Sequence, residues 1–379
     1  MLSPFIINDK NLHLDRYPLA QVNRSLQAWD AADEYLVNHI AQHQLIKPGT
    51  RVLIFNDLFG ALTVNFTESQ LFTVNDSFLS ICGIKHNLEQ NYLSDDNRSQ
   101  LTSLDPLPDD IDVILYKNPK SKSLLSDQLL KIKQKYSDNV IFIAADRAKE
   151  IHTSTLKQFE KYLGTTKTSL AVKKARLVFA ELDNPARYNS PFPTVWPLEN
   201  TRFSLSNHAN VYAREKLDLG ARYFIQNLPE IPAGSRVIDL GCGNGVIGLT
   251  VLAAQEQAKV QFVDESHMAI ASARENIENN LPQVMDNCIF HVNDCLTGFE
   301  GGSADVILCN PPFHQQTATT DHIAWQMFND SFRVLKKGGE LRIIGNRQLG
   351  YHVKLQRIFG NHKLIATNEK FVTISAIKK

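Results

Sequence analysis

The stretch Arg236-Val-Ile-Asp-Leu-Gly-Cys-Gly-Asn-Gly245 decides the fold. Val237 and Ile238 lead into an acid, Asp239, and glycines follow at alternate positions, Gly241, Gly243 and Gly245. An apolar run from Val246 to Ala254 comes next. That order reads as strand, tight turn and helix. Glycine in the turn takes φ > 0 and lets the backbone approach a ligand closely. The helix beyond begins with unpaired N–H groups.

Outward from this stretch, strand-length apolar runs alternate with helical spacing. Downstream, strands are expected at 259–263, 288–292, 304–309, 340–345, 363–367 and 371–377. Helices are expected at 214–228, 246–255, 267–280, 323–335 and 348–359. Thr367-Asn-Glu-Lys370 is too short for a helical crossover, so the last two strands must form an antiparallel hairpin. A parallel sheet ending in such a hairpin points to the class I methyltransferase sheet.

Upstream, strands are expected at 51–55, 71–74, 112–116 and 140–144, and helices at 27–40, 80–91, 122–136 and 154–163. Strands alternating with helices give an α/β domain with a mainly parallel sheet. Residues 1–25 carry little pattern. Pro185, Pro191, Pro193 and Pro197 make 183–200 a linker. The expected domains are therefore 1–182 and 201–379, as a 379-residue chain favours two cores over one.

The two halves repeat each other. Arg51-Val-Leu-Ile-Phe-Asn-Asp-Leu-Phe-Gly60 aligns with 236–245, and Val74-Asn-Asp-Ser77 with Val263-Asp-Glu-Ser266. Asn87 and Asn91 then fall on Asn276 and Asn280. Asp112-Val-Ile-Leu-Tyr-Lys-Asn-Pro119 matches Asp305-Val-Ile-Leu-Cys-Asn-Pro311 with one extra residue. The first copy has lost the chemistry. Ile54, Asn56 and Leu58 replace Asp239, Gly241 and Gly243, and Asn75 replaces Asp264. The fold is two tandem class I (Rossmann-like) methyltransferase domains, the N-terminal one degenerate.

The spacing Asp-x-Gly-x-Gly-x-Gly is not the dinucleotide pattern G-x-G-x-x-G. An acid inside the turn suits a cationic ligand better than a pyrophosphate, which makes S-adenosylmethionine the expected cofactor. Asp264 ends the next strand, where a carboxylate can accept both ribose hydroxyls; Glu265 follows it and Ser266 is the expected helix cap. Asp294 ends the third strand, where the adenine amino group would fall. Asp218 is a candidate acceptor for the methionine ammonium, or else the start of an ordinary amphipathic helix.

Asn310-Pro-Pro-Phe313 follows the fourth strand. Methylating an exocyclic amine is hard because its lone pair is delocalised into the ring. The Asn310 side-chain oxygen and the Pro311 carbonyl can hold the N–H groups so that the lone pair faces the methyl. Pro312 with Pro311 stiffens the loop, and Phe313 can stack on a flipped base.

Lysine, arginine and acid counts leave no net charge, but the charges are not evenly spread. Residues 1–116 have a balance of −8 and residues 117–176 one of +9. Lys117, Lys120, Lys122, Lys173, Lys174 and Arg176 are candidate RNA contacts, or else a solvated face that offsets the acidic half. Arg214 and Lys216 are further candidates for substrate phosphate. The five cysteines form no C-x-x-C pair and no His–carboxylate pair suggests a ligand set, so no metal is expected. No apolar run approaches the length of a membrane span, and no secretory leader is visible.

Residues 237–248, 263–266, 207–222 and Asn310-Pro-Pro-Phe-His-Gln-Gln316 resemble the RsmC/RlmG group of ribosomal RNA guanine-N2 methyltransferases. Gln27-Ala-Trp-Asp-Ala-Ala-Asp-Glu-Tyr-Leu36, Ile151-His-Thr-Ser-Thr-Leu156 and Lys173-Lys-Ala-Arg-Leu177 resemble its large-subunit branch. The resemblance implies S-adenosylmethionine as donor, a guanine of 23S rRNA as acceptor, an RNA-binding role for the first domain, and a cytoplasmic protein. A monomer is expected. Adenine-N6 or protein-glutamine methylation through the same loop, and a non-catalytic RNA-binding assembly factor, are the competing readings.

Overall fold

The computed structural model describes residues 5–19, 26–137, 139–312 and 318–379, the side chains of 318–321 excepted. The chain forms two compact units, 1–191 and 192–379.

In the first unit, a two-strand ribbon of β1 (Phe5–Ile7) and β2 (Lys10–Leu12) precedes the sheet. The sheet strands are β3 (Arg51–Phe55), β4 (Gln70–Asn75), β5 (Arg98–Thr102), β6 (Val113–Lys117), β7 (Ile141–Arg147), β8 (Thr166–Thr168) and β9 (Ala175–Ala180). Their order is β5-β4-β3-β6-β7-β9-β8, with only β9 antiparallel to its neighbours. Helices α1 (Ala31–Gln42), α2 (Phe78–Gln90), α3 (Lys122–Lys135) and α4 (Thr153–Tyr162) pack on it. Asp30 and Asp33 form a capping box that starts α1, and Ser77 and Ser121 cap α2 and α3.

The second unit opens with β10 (Thr194–Pro197) paired antiparallel to β11 (Ser204–Asn207), followed by α5 (Leu219–Ile225). Its sheet strands are β12 (Arg236–Leu240), β13 (Lys259–Asp264), β14 (Cys288–Val292), β15 (Ala304–Cys309), β16 (Leu335–Asn346), β17 (Lys363–Thr367) and β18 (Phe371–Ile377). The helices are α6 (Val246–Ala254), α7 (His267–Asn280), α8 (Ala318–Val334) and α9 (Tyr351–Phe359). Sheet order is β14-β13-β12-β15-β16-β18-β17, strand for strand the order of the first unit. Burial on both faces explains why β3 and β12 are runs of apolar residues rather than alternations. Val52 to Phe55 and Val237 to Leu240 are all buried, Asp239 included.

Three expectations need correction. Residues 194–197, inside the expected linker, form β10; Pro197 sits at the strand end of a two-strand ribbon, where proline costs no ladder bond. The helix expected over 214–228 is only α5, because Asp218 caps it late and 208–217 lead in as turns. β5, β8 and β9 were not anticipated. The polar run Arg98-Ser-Gln-Leu-Thr102 is an edge strand with no buried face to mark it.

Candidate functional site

The glycine turn joins β12 to α6 and takes left-handed backbone at all three glycines, with φ of +71° at Gly241, +54° at Gly243 and +77° at Gly245. Gly245 is fixed by packing: a Cβ there would lie 2.8 Å from the Cβ of Ala273 on α7. Gly243 is different, since a Cβ there would meet nothing within 4 Å. The cradle over Gly243 is open space that any side chain would begin to fill. The Gly241 and Cys242 N–H groups both donate to the Val263 carbonyl, which ties the turn to β13.

Acids surround the turn. Asp239 Oδ2 accepts the Gly248 N–H at 2.8 Å, pinning the first turn of α6 to β12. Burial pushes the Asp239 carboxyl up to about 7, against the effect of the Gly248 bond and with help from the charge of Asp264. A cation brought near Asp239 would restore its ionised form. Asp264 Oδ2 accepts the Gly243 N–H at 2.9 Å and Oδ1 the Ser266 N–H at 3.0 Å. Glu265 is half-buried beside it, and Ser266 caps α7 by accepting the Ala269 N–H. Asp294 is buried just beyond β14 and accepts from Gln326 of α8 at 2.8 Å. Asp218 takes the cap role: its oxygens accept from the Ala221 N–H and the Tyr212 hydroxyl.

Asn310 follows β15, which pairs with β12 through Cys309 and Leu240, so its loop lies beside the turn. A Cβ on Gly241 would be 4.0 Å from the Asn310 carbonyl oxygen. The Asn310 Oδ1 is buried and has no hydrogen-bond partner among the described residues. Leaving a buried acceptor unpaired costs about 1–3 kcal/mol. Pro311 is buried and Pro312 exposed; Phe313 lies outside the described residues.

The residues the sequence did not single out are those that hold the turn. Asn244 donates to Asn207 Oδ1 at 2.8 Å, and its Oδ1 accepts the Val246 N–H. Asn276 of α7 donates to the carbonyls of Asn244 and Ser206 and accepts the Ser206 N–H. The recurrence of Asn276 at Asn87 was the available signal.

The first unit keeps the left-handed backbone at Asn56 and Gly60 but not at Leu58, the counterpart of Gly243. Asn56 holds a φ of +60° where Gly241 stands in the second copy. Its amide exchanges hydrogen bonds with Gln128, which also accepts from the Tyr116 hydroxyl. Leu58, 58% exposed, stands in place of Gly243. Lys117, expected to face RNA, needs correction. It bonds Asp33 at 2.6 Å and Asp30 at 3.2 Å with its side chain 14% exposed. Burial works to lower its pKa, but Asp33 and Asp30 outweigh this and hold the ammonium above its usual range.

The other cations are more open. Lys120 and Lys122 are exposed, and Lys173 and Lys174 form the left-handed tip between β8 and β9. Lys173 reaches Glu34 at 2.8 Å, and Arg176 is half-buried. In the second unit Lys216 is exposed, whereas Arg214 donates to Glu215 at 2.8 Å and lies over Phe192. No group of three or more His, Cys, Asp or Glu among the described residues could hold a metal ion. No helix among them is long and apolar enough to cross a membrane.

Sheet order, glycine turn, strand-end acids and the Asn-Pro-Pro loop together define a class I methyltransferase. Residues 3–184 match the family described as RLMG N-terminal domain, and 202–375 the one described as methyltransferase small domain. The chain is 66% identical to a ribosomal RNA large subunit methyltransferase G of Colwellia psychrerythraea, with all of both chains covered. It is 50% identical to the protein so named in Pseudoalteromonas translucida, covering 98% of this chain and 97% of that one. A solved structure of the T. thermophilus 16S rRNA N2 G1207 methyltransferase, in complex with AdoMet and guanosine, superposes with a TM-score of 0.76 at 17% identity, covering 100% and 98%. At that identity the likeness speaks to the fold. The chain belongs to the ribosomal RNA large subunit methyltransferase G family.

Proposed function

We propose that this protein methylates the exocyclic N2 of a guanine in 23S rRNA with S-adenosylmethionine as donor. The observation that carries the reading is the Asn310 Oδ1 beside the glycine turn, buried and without a hydrogen-bond partner among the described residues. Bound S-adenosylmethionine supplies an electrophilic methyl group. Asp264 and Glu265 would hold its ribose, Asp294 its adenine, and the Gly241–Gly245 turn its methionine portion. Asp239 fixes α6 against β12 and, when ionised, favours a positive ligand at the turn. Asp218 is the remaining candidate for the ammonium.

Asn310 Oδ1 and the Pro311 carbonyl would accept the two N–H groups of the guanine amine. Those bonds turn the lone pair out of conjugation and toward the methyl. No strong base is needed, since the product can release its proton afterwards. Pro311 and Pro312 limit the loop to few conformations, so little entropy is lost when the base arrives, and Phe313 would stack on it.

The first unit would serve as an RNA-binding domain, through Lys120, Lys122, Lys173, Lys174 and Arg176, with Arg214 and Lys216 contributing from the catalytic unit. The family names of its relatives favour large-subunit RNA over the DNA or protein substrates that share the loop logic. The protein would act as a cytoplasmic monomer. The deciding experiment offers methyl-labelled cofactor to wild type and Asn310→Ala with 23S rRNA, DNA and a glutamine-bearing protein. Label should enter only the rRNA, at guanine N2, and only with wild type. Label in DNA or protein, or unchanged turnover in the variant, would falsify this reading.

A further inference from the structure

Helix α8 grips the segment after β14 along one stripe. Gln326 Nε2 donates to Asp294 Oδ1 at 2.8 Å, Asp330 Oδ2 accepts the Leu296 N–H at 3.1 Å, and Arg333 donates to the Leu296 carbonyl at 2.6 Å and to the Phe299 carbonyl. Residues 326, 330 and 333 lie one or two turns apart on the same helical face. Asp294 is 8% exposed, and burial raises its pKa while the Gln326 bond works against that rise. The amide of Gln326 can only donate through its nitrogen. It therefore stabilises the ionised carboxylate and pins one of its two oxygens.

We propose that Gln326 is a positioning residue: by holding Asp294 Oδ1 it leaves Oδ2 to accept from the cofactor's adenine amino group, and so sets the preference for adenine over a 6-oxo purine. The proposal rests on the assignment of S-adenosylmethionine to this site. A 6-oxo purine presents a carbonyl oxygen where adenine presents N–H, and two acceptors facing each other in a buried site are strongly disfavoured. A carboxylate free to rotate could turn away from that clash. One held by Gln326 cannot.

The test is calorimetric titration of the full chain with S-adenosylhomocysteine and with its inosine counterpart. Wild type should prefer the adenine form at least about tenfold. Gln326→Leu should cut that ratio about fivefold, the worth of one ordinary hydrogen bond. Asp294→Ala should remove it, and the double variant should match Asp294→Ala alone, since the two residues act as a unit. Gln326→Glu keeps the shape but sets carboxylate against carboxylate, and should lose at least as much as Gln326→Leu. Should Asp294→Ala lose the preference while Gln326→Leu and Gln326→Glu keep it, the positioning role is wrong and the cofactor assignment stands. Additive losses in the double variant would also overturn it. Should wild type bind neither ligand, or Asp294→Ala keep its preference, the assignment beneath the proposal fails.

Discussion

Asn87 and Asn276 make the same three hydrogen bonds in the two units. Asn276 accepts the Ser206 N–H and donates to the carbonyls of Ser206 and Asn244. Asn87 accepts the Asp15 N–H and donates to the carbonyls of Asp15 and Phe59. Phe59 is the repeat partner of Asn244, so each asparagine clamps a preceding segment and a turn to one helix. Asn91 and Asn280 extend the clamp by one helical turn, bonding His13 and Ser204.

The shared clamp has different consequences in the two copies. Asn276→Ala leaves three backbone groups without partners and should destabilise the second unit by about 2–3 kcal/mol. Because Asn244 lies in the glycine turn, cofactor affinity should fall as well. Asn87→Ala should cost comparable stability and leave cofactor affinity unchanged. Denaturant melts paired with cofactor titration separate the two; an equal effect of both variants on affinity would contradict the division of roles.

Lys117 and the Lys173–Lys174 tip should respond in opposite ways. Lys117→Met strands Asp33 beside Asp30 in a buried site and should cost about 3 kcal/mol of stability. Charge reversal at Lys173 and Lys174 should leave the melting temperature nearly unchanged, weaken 23S rRNA binding and flatten its dependence on salt. A salt slope that does not move would exclude the tip from the RNA footprint.

The raised carboxyl of Asp239, about 7 against an ordinary 3.8, makes a pH prediction. For stability, a raised folded-state value means the contribution is complete below the ordinary carboxylate value and is lost as pH rises through the folded one. Binding runs the other way. A cationic ligand favours the ionised form, so cofactor affinity should climb from about pH 6 to about pH 7.5, below the range where the ligand's own amine titrates. Asp239→Asn should show a shallower one in calorimetric titrations, and an identical slope would remove Asp239 from the site's electrostatics.

Gly243→Leu places in the second copy the residue type that the first copy carries at Leu58. Its φ of +54° costs a side chain about 1–2 kcal/mol, and the new side chain enters open space rather than the core. The variant should fold and lose cofactor binding. Affinity within about threefold of wild type would show that the ligand does not use this cradle.

The sequence alone determined the strands buried on both faces, because each is a short apolar run bounded by turn residues. β3, β12, β15 and β18 fall where those runs predict them. It also determined the duplicated plan and the intact turn, since glycine spacing and an acid at a strand end are local features. Among the edge strands, β14 and β17 carry apolar residues enough to be read, whereas the polar β5 and β8 were not legible. Only the tertiary structure decided what each polar residue does. Lys117 looks like any other basic residue in the chain, yet folding brings Asp30 and Asp33, more than eighty positions earlier, against its ammonium. Gln326 reads as an ordinary helix residue until α8 sets it against Asp294. Asn310 reads as a loop residue, and the burial of its Oδ1 with no partner among the described residues emerges only when β15 lies beside β12. Hydrogen bonds and ion pairs join residues distant in sequence, and their partners exist only once the chain has packed.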